Sequence, residues 1–248
     1  MRSGNPALND RMFQGVGFPG TAEDTMTIQG TVNKTALLLA LVMLTSGWTW
    51  YLYSQTQNPA SVSTWMLVGA IGGFITALVT IFKMEWSPIT APIYALLEGL
   101  FIGGISAITE SQYPGIVFQA VGLTFGTLAV LLVAYKSGLI KVTENFTMGI
   151  VAATGGIFVV YLVTMVLGLF GVNVPYIHGS GLLGIGFSVF VVVIAALNLV
   201  LDFDFIEKGS RSGAPAYMEW YGAFGLMVTL IWLYLEILRL LSKLRSRS

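Results

Sequence analysis

Seven separate stretches of this chain are each apolar over about 20 residues, the length that crosses roughly 30 Å of bilayer hydrocarbon. They run at about 35–53, 65–83, 88–109, 115–135, 148–170, 182–203 and 221–241. Periodicity cannot separate helix from strand in runs so uniformly apolar, but length can. A chain in hydrocarbon must satisfy its own backbone N–H and C=O groups, and segments this long do so as helices. Barrel strands would be only about 10 residues long, with alternating polarity. Composition points the same way, because only 10% of the residues are charged, against roughly 25% in a soluble domain. The expected organisation is a polar N-terminal tail over 1–34, a seven-helix transmembrane domain over 35–241 and a basic C-terminal tail over 242–248. No length is left for a second folded domain.

The placement of Lys and Arg sets an orientation. Lys83, Lys136, Lys141, Lys208 and Arg211 follow spans 2, 4 and 6, whereas the loops after spans 1, 3 and 5 carry none. With Arg2, Arg11 and Lys34 before the first span, the positive-inside rule places the N-terminus in the cytoplasm. Seven crossings then put the C-terminus outside, although Arg239, Lys243, Arg245 and Arg247 lie there. The polar, Gly-rich N-terminus does not read as a secretory signal, and the reading that follows is a bacterial inner-membrane protein. Net charge is zero and no basic face is clustered, which argues against a nucleic-acid partner. The chain has no Cys and one His, His178, so thiolate chemistry and multi-histidine zinc sites are excluded. No nucleophile motif or phosphate-binding loop appears, and neither an enzyme nor a resident cofactor is expected.

Glycine is frequent within the spans, at Gly69, Gly72 and Gly73, at Gly99, Gly103 and Gly104, and at Gly122 and Gly126. Small residues let helices approach closely in lipid, where no hydrophobic effect draws them together. Gly122 to Gly126 matches the small-xxx-small pattern, and tight packing within one bundle is the expectation for it.

The residues that carry chemistry are acids inside apolar spans. An ionisable side chain at the bilayer centre costs about 2.5–3.5 kcal/mol even on the lenient insertion scale, so it is rare unless it faces a partner or a cavity. Glu98 lies in Leu96-Leu97-Glu98-Gly99-Leu100, Asp202 at the end of span 6, and Glu236 deep in span 7 within Leu233-Tyr234-Leu235-Glu236. Arg239, three residues after Glu236, can share its helix face. Asn198, four residues before Asp202, lies on the same face as that acid and is a candidate hydrogen-bonding residue. Asp204, Glu207, Lys208, Arg211 and Glu219 read as a solvated loop. Buried, crowded carboxyls take up protons more readily than exposed ones, and carboxylate oxygens suit hard cations such as Ca²⁺. Such acids act either as a proton-sensitive, cation-binding cluster or as hydrogen-bonded glue between helices.

The seven-span layout, Asp202 with Ile206 four residues later, and the Leu-Tyr-Leu-acid run that ends in Glu236 resemble the Bax-inhibitor family, the transmembrane Bax inhibitor motif proteins. The resemblance covers roughly 35–241 and is most specific in spans 6 and 7. It implies two three-helix layers around a central last helix, and a Ca²⁺-permeable, pH-sensitive leak gated by an acidic pair. Carried over by motif, that pair is Asp202 and Glu236, as proton sensor, gate and calcium ligands. Glu98, Asp204 and Asn198 are expected to line the path or bind the ion. The resemblance also implies an alternative, a non-transporting regulator that binds a membrane protease or another membrane protein. The depths of the two acids bear on a direct pair. At 1.5 Å per residue, Glu236 lies about 30 Å along a helix starting near Pro215, whereas Asp202 is only about 9 Å from the inner end of helix 6 even if that helix runs on to Lys208. Direct contact requires the last helix to protrude inward or to start late.

Overall fold

A computed structural model describes residues 25–171, 179 and 181–247. Among the described residues, seven α-helices are long and apolar enough to cross a membrane: α1 (Ile28–Thr56), α2 (Ala60–Phe82), α3 (Ser87–Gln112), α4 (Ile116–Lys136), α5 (Glu144–Leu169), α6 (Leu182–Arg211) and α7 (Tyr217–Arg245). Among the described residues there is no strand, only an isolated bridge between Thr25 and Pro215. The all-α membrane architecture expected from the apolar runs is therefore what the chain adopts. His178 lies outside the described residues.

The helices overrun their apolar cores because their ends are capped by polar residues that hydropathy overlooks. Thr27 accepts a hydrogen bond from Gly30 N, so α1 begins at Ile28, inside the stretch read as tail. Thr143 does the same for Phe146 N at the start of α5, with Glu144 in the first turn, where the helix dipole favours an acid. The polar stretch after span 6 is helix to Arg211, fastened on its surface by an i,i+4 pair of Glu207 with Arg211 at 2.5 Å. The reversal into α7 is made at Gly213, whose φ of 66° suits a residue without a Cβ.

The chain forms two compact units. One contains α1, α2 and α3 with the end of α6 and the start of α7, Phe205–Met227. Here α3 packs against both α1 and α2, which meet each other much less. The approach is close because it is made at glycine: a Cβ on Gly99 or Gly103 would run into Thr45 and Val42, or Thr49 and Ser46, of α1. Ser46 Oγ also donates to Gly99 O at 3.0 Å. On the other side, a Cβ on Gly69 of α2 would meet Leu97 O at 2.5 Å. The expected packing role of glycine thus falls on Gly99-xxx-Gly103. It does not fall on Gly122 and Gly126, which are exposed, and where a Cβ would meet nothing within 4 Å.

The other unit contains α4, α5, α6 as far as Asp204, and α7 from Val228. Ile157, Val191 and Ile194 form a buried cluster covered by Tyr161, Phe187 and Trp232. Rings of Tyr135 and Phe203 lie 5.9 Å apart.

Alanine substitutions separate the two kinds of glycine. Gly99→Ala and Gly103→Ala are expected to lower the melting temperature in detergent, since overpacking costs about 1–3 kcal/mol. Gly122→Ala and Gly126→Ala are expected to leave it unchanged or raise it, alanine being the better helix former by about 0.5–1 kcal/mol. Equal effects at the four positions contradict this packing.

Candidate functional site

Each acid singled out in the sequence has a distinct setting. Glu236 is 2% exposed, on α7. Both of its carboxylate oxygens accept from Tyr161 Oη on α5 at 3.0 Å. Arg239, one turn on, donates from Nη1 to the same oxygens at 3.0 and 3.2 Å. Arg239 also donates to Tyr161 Oη at 2.7 Å, and its guanidinium lies 5.1 Å from the Tyr161 ring centroid. The same-face pair expected from the sequence spacing is present, and Tyr161 closes it into a triangle. A buried carboxylate with a cation and a hydroxyl on it is not an uncompensated charge.

Lys243, two turns beyond Glu236, is also buried. It donates from Nζ to Gly184 O at 3.0 Å and Ser188 Oγ at 2.9 Å, both on α6. These contacts fix the antiparallel register of α6 and α7 within this unit. Seven residues back from Lys243, Glu236 lies level with the stretch 191–195 of α6. Asp202 is then at least seven residues further along, roughly 10 Å or more in depth at 1.5 Å per residue. The register places the two acids in one unit but not side by side.

Asp202 is fully buried, at 0% exposure, and Asn198 is buried one turn before it. Asn198 Nδ2 donates to Thr154 Oγ1 of α5 at 2.9 Å and to Ile194 O at 2.8 Å. Asp204 is only half-buried.

Glu98 belongs to the other unit, on α3. The Tyr94 hydroxyl hydrogen-bonds its carboxyl, and the Tyr94 ring stands edge-on to Phe224 at 5.1 Å. The carboxyl lies over the bare Cα of Gly73 on α2, where a Cβ would be 3.0 Å from Oε2.

Glu219 corrects the solvated-loop reading. It lies in the first turn of α7 and is buried. Its Oε1 accepts from Thr27 N and Thr27 Oγ1, each at 2.7 Å, and its Oε2 pairs with Lys34. Met26 N donates to Ala214 O at 2.6 Å, and the Met26 side chain is buried. This hub ties the start of α1 to the α6–α7 turn. Sequence reasoning misses it because a charged, Gly- and Pro-containing stretch looks like loop until its partners are known. Tyr161 and Thr154 escape for a related reason: polar atoms on apolar α5 become informative only once α5 is paired with α6 and α7. Among the described residues no group of three or more His, Cys, Asp or Glu is placed to hold a metal ion.

A family model described as Bax inhibitor 1 like matches residues 5–246. Neither the curated proteins nor the solved structures give a match.

The triangle is tested by a double-mutant cycle. Arg239→Ala leaves a buried carboxylate without its cation and is expected to destabilise the protein more than Glu236→Gln does. The combined variant is expected to be more stable than the sum of the two changes implies, with a coupling of about 0.5–3 kcal/mol from thermal unfolding. Strict additivity rules out the triangle.

Proposed function

Because the chain belongs to the Bax inhibitor 1 like family, we propose that it is a membrane cation leak, for calcium above all, controlled by proton binding at buried acids. The observation that carries this reading is Asp202, a carboxyl with no solvent exposure inside a span of apolar residues. A bilayer penalises such a group, and function is the usual reason it persists. Asp202 is the proton sensor. Glu236, already held by Arg239 and Tyr161, acts as the second element of the gate through that triangle and not by touching Asp202. Glu98, Asp204 and Asn198 line the route or bind the ion.

The reading includes a cytoplasmic N-terminus in a bacterial inner membrane and a C-terminus on the opposite side. Two of the four basic residues near that end, Arg239 and Lys243, make hydrogen bonds inside the protein. That supports seven full crossings against the pull of the positive-inside rule.

A second reading, a regulator that holds a membrane partner without transporting, is favoured by the exposed Gly122 and Gly126 face of α4. Such a face admits another helix closely.

Calcium flux into liposomes containing the purified protein, at pH 6, 7 and 8, separates the two. The leak reading expects flux that changes with pH in the wild type and loses that dependence in Asp202→Asn. Flux no greater than in empty liposomes at every pH moves the function to the regulator.

A further inference from the structure

The amide of Asn198 is locked in one orientation. The atom 2.8 Å from Ile194 O must be the nitrogen, because a backbone carbonyl can only accept. The same nitrogen donates to Thr154 Oγ1. Asn198 Oδ1 is thereby fixed in direction, and it is buried with no hydrogen-bond partner among the described residues. A buried acceptor left without a partner is costly, and folded chains carry few of them. Residues four apart on a helix are neighbours, with Cβ atoms about 5–6 Å apart. Asn198 Oδ1 and the Asp202 carboxyl therefore occupy one strip of α6, both as oxygen acceptors.

We propose that Asn198 Oδ1 and the Asp202 carboxylate form a two-oxygen cation site on α6, with Thr154 as the positioning residue that keeps the amide oxygen turned toward the ion. The inference deepens the leak reading and names the ligands of its cation, but binding at the site is measured without flux. Calcium takes 6–8 oxygen ligands, so an ion held by these two keeps most of its water. An amide in place of a second acid limits the protein's charge on the ion to one. Such a site holds a cation loosely, as passage demands, since an ion must leave as readily as it enters.

Thermal melting of the full-length protein in detergent, titrated with calcium chloride at constant ionic strength, reads the site. The wild type is expected to show a saturable rise in melting temperature. Asn198→Leu, of similar size and without the orphan oxygen, is expected to abolish that rise. Thr154→Val, which removes one of the amide's two acceptors and leaves only Ile194 O, is expected to weaken the apparent affinity by about tenfold, the usual lower effect of losing a residue that orients a metal ligand. Asn198→Asp, which adds a charge, is expected to tighten it. No saturable rise in the wild type, an unchanged rise in Asn198→Leu, or equal affinity in Asn198→Asp overturns the proposal and leaves Oδ1 to water. Saturable binding without flux in liposomes sinks the leak and not the site.

Discussion

A bilayer gives a charged side chain no solvent, so each ionisable group within the spans must be compensated by the protein itself. This chain meets that constraint pair by pair. Glu236 is matched by Arg239 and Tyr161, Glu219 by Lys34 and Thr27, and Lys243 by a carbonyl and a hydroxyl of α6. The same contacts decide which helices meet. The Tyr161–Glu236 bond joins α5 to α7, the Lys243 bonds join α6 to α7, and the Glu219 hub joins the start of α1 to the start of α7. Polar compensation supplies specificity of pairing, and glycine supplies closeness. Where α3 meets α1, Gly99 and Gly103 let backbone approach backbone, held by dispersion and by the Ser46 hydrogen bond to Gly99 O.

Much of this can be read from the sequence, for physical reasons that also mark the limits. Seven apolar runs are seven helices because hydrocarbon leaves the backbone no alternative, and the resemblance in spans 6 and 7 leads to the right family. The helix ends are misjudged wherever a cap lies outside the apolar run, as at Thr27. Gly99-xxx-Gly103 and Gly122-xxx-Gly126 are alike on paper, and only the pairing of helices says that the first is packed and the second open. Arg239 is visible beside Glu236 because it lies on the same helix. Tyr161, 75 residues away, carries no local sign of its role. Glu219 reads as loop because charge beside Gly213 and Pro215 suggests solvent, yet a carboxylate in a first helical turn is well placed for the dipole and for a lysine from another helix.

The register of α6 and α7 changes what the two acids of spans 6 and 7 can mean. As a contacting pair they would share one proton-sensitive site. Set at different depths, they take separate parts: Glu236, bound by a cation and a hydroxyl, holds α5 to α7, and the proposed leak takes Asp202 as its proton sensor. Asn198, locked one turn away, gives Asp202 an oxygen neighbour on its own helix in place of a distant carboxylate.

Infrared difference spectroscopy of the purified protein on acidification from pH 8 to pH 5 tests this division most directly, because the carbonyl band of a protonated carboxyl reports proton uptake itself. A band that grows on acidification, disappears in Asp202→Asn and survives in Glu236→Gln is the expected result. A band unchanged in Asp202→Asn, or lost in Glu236→Gln alone, would contradict it.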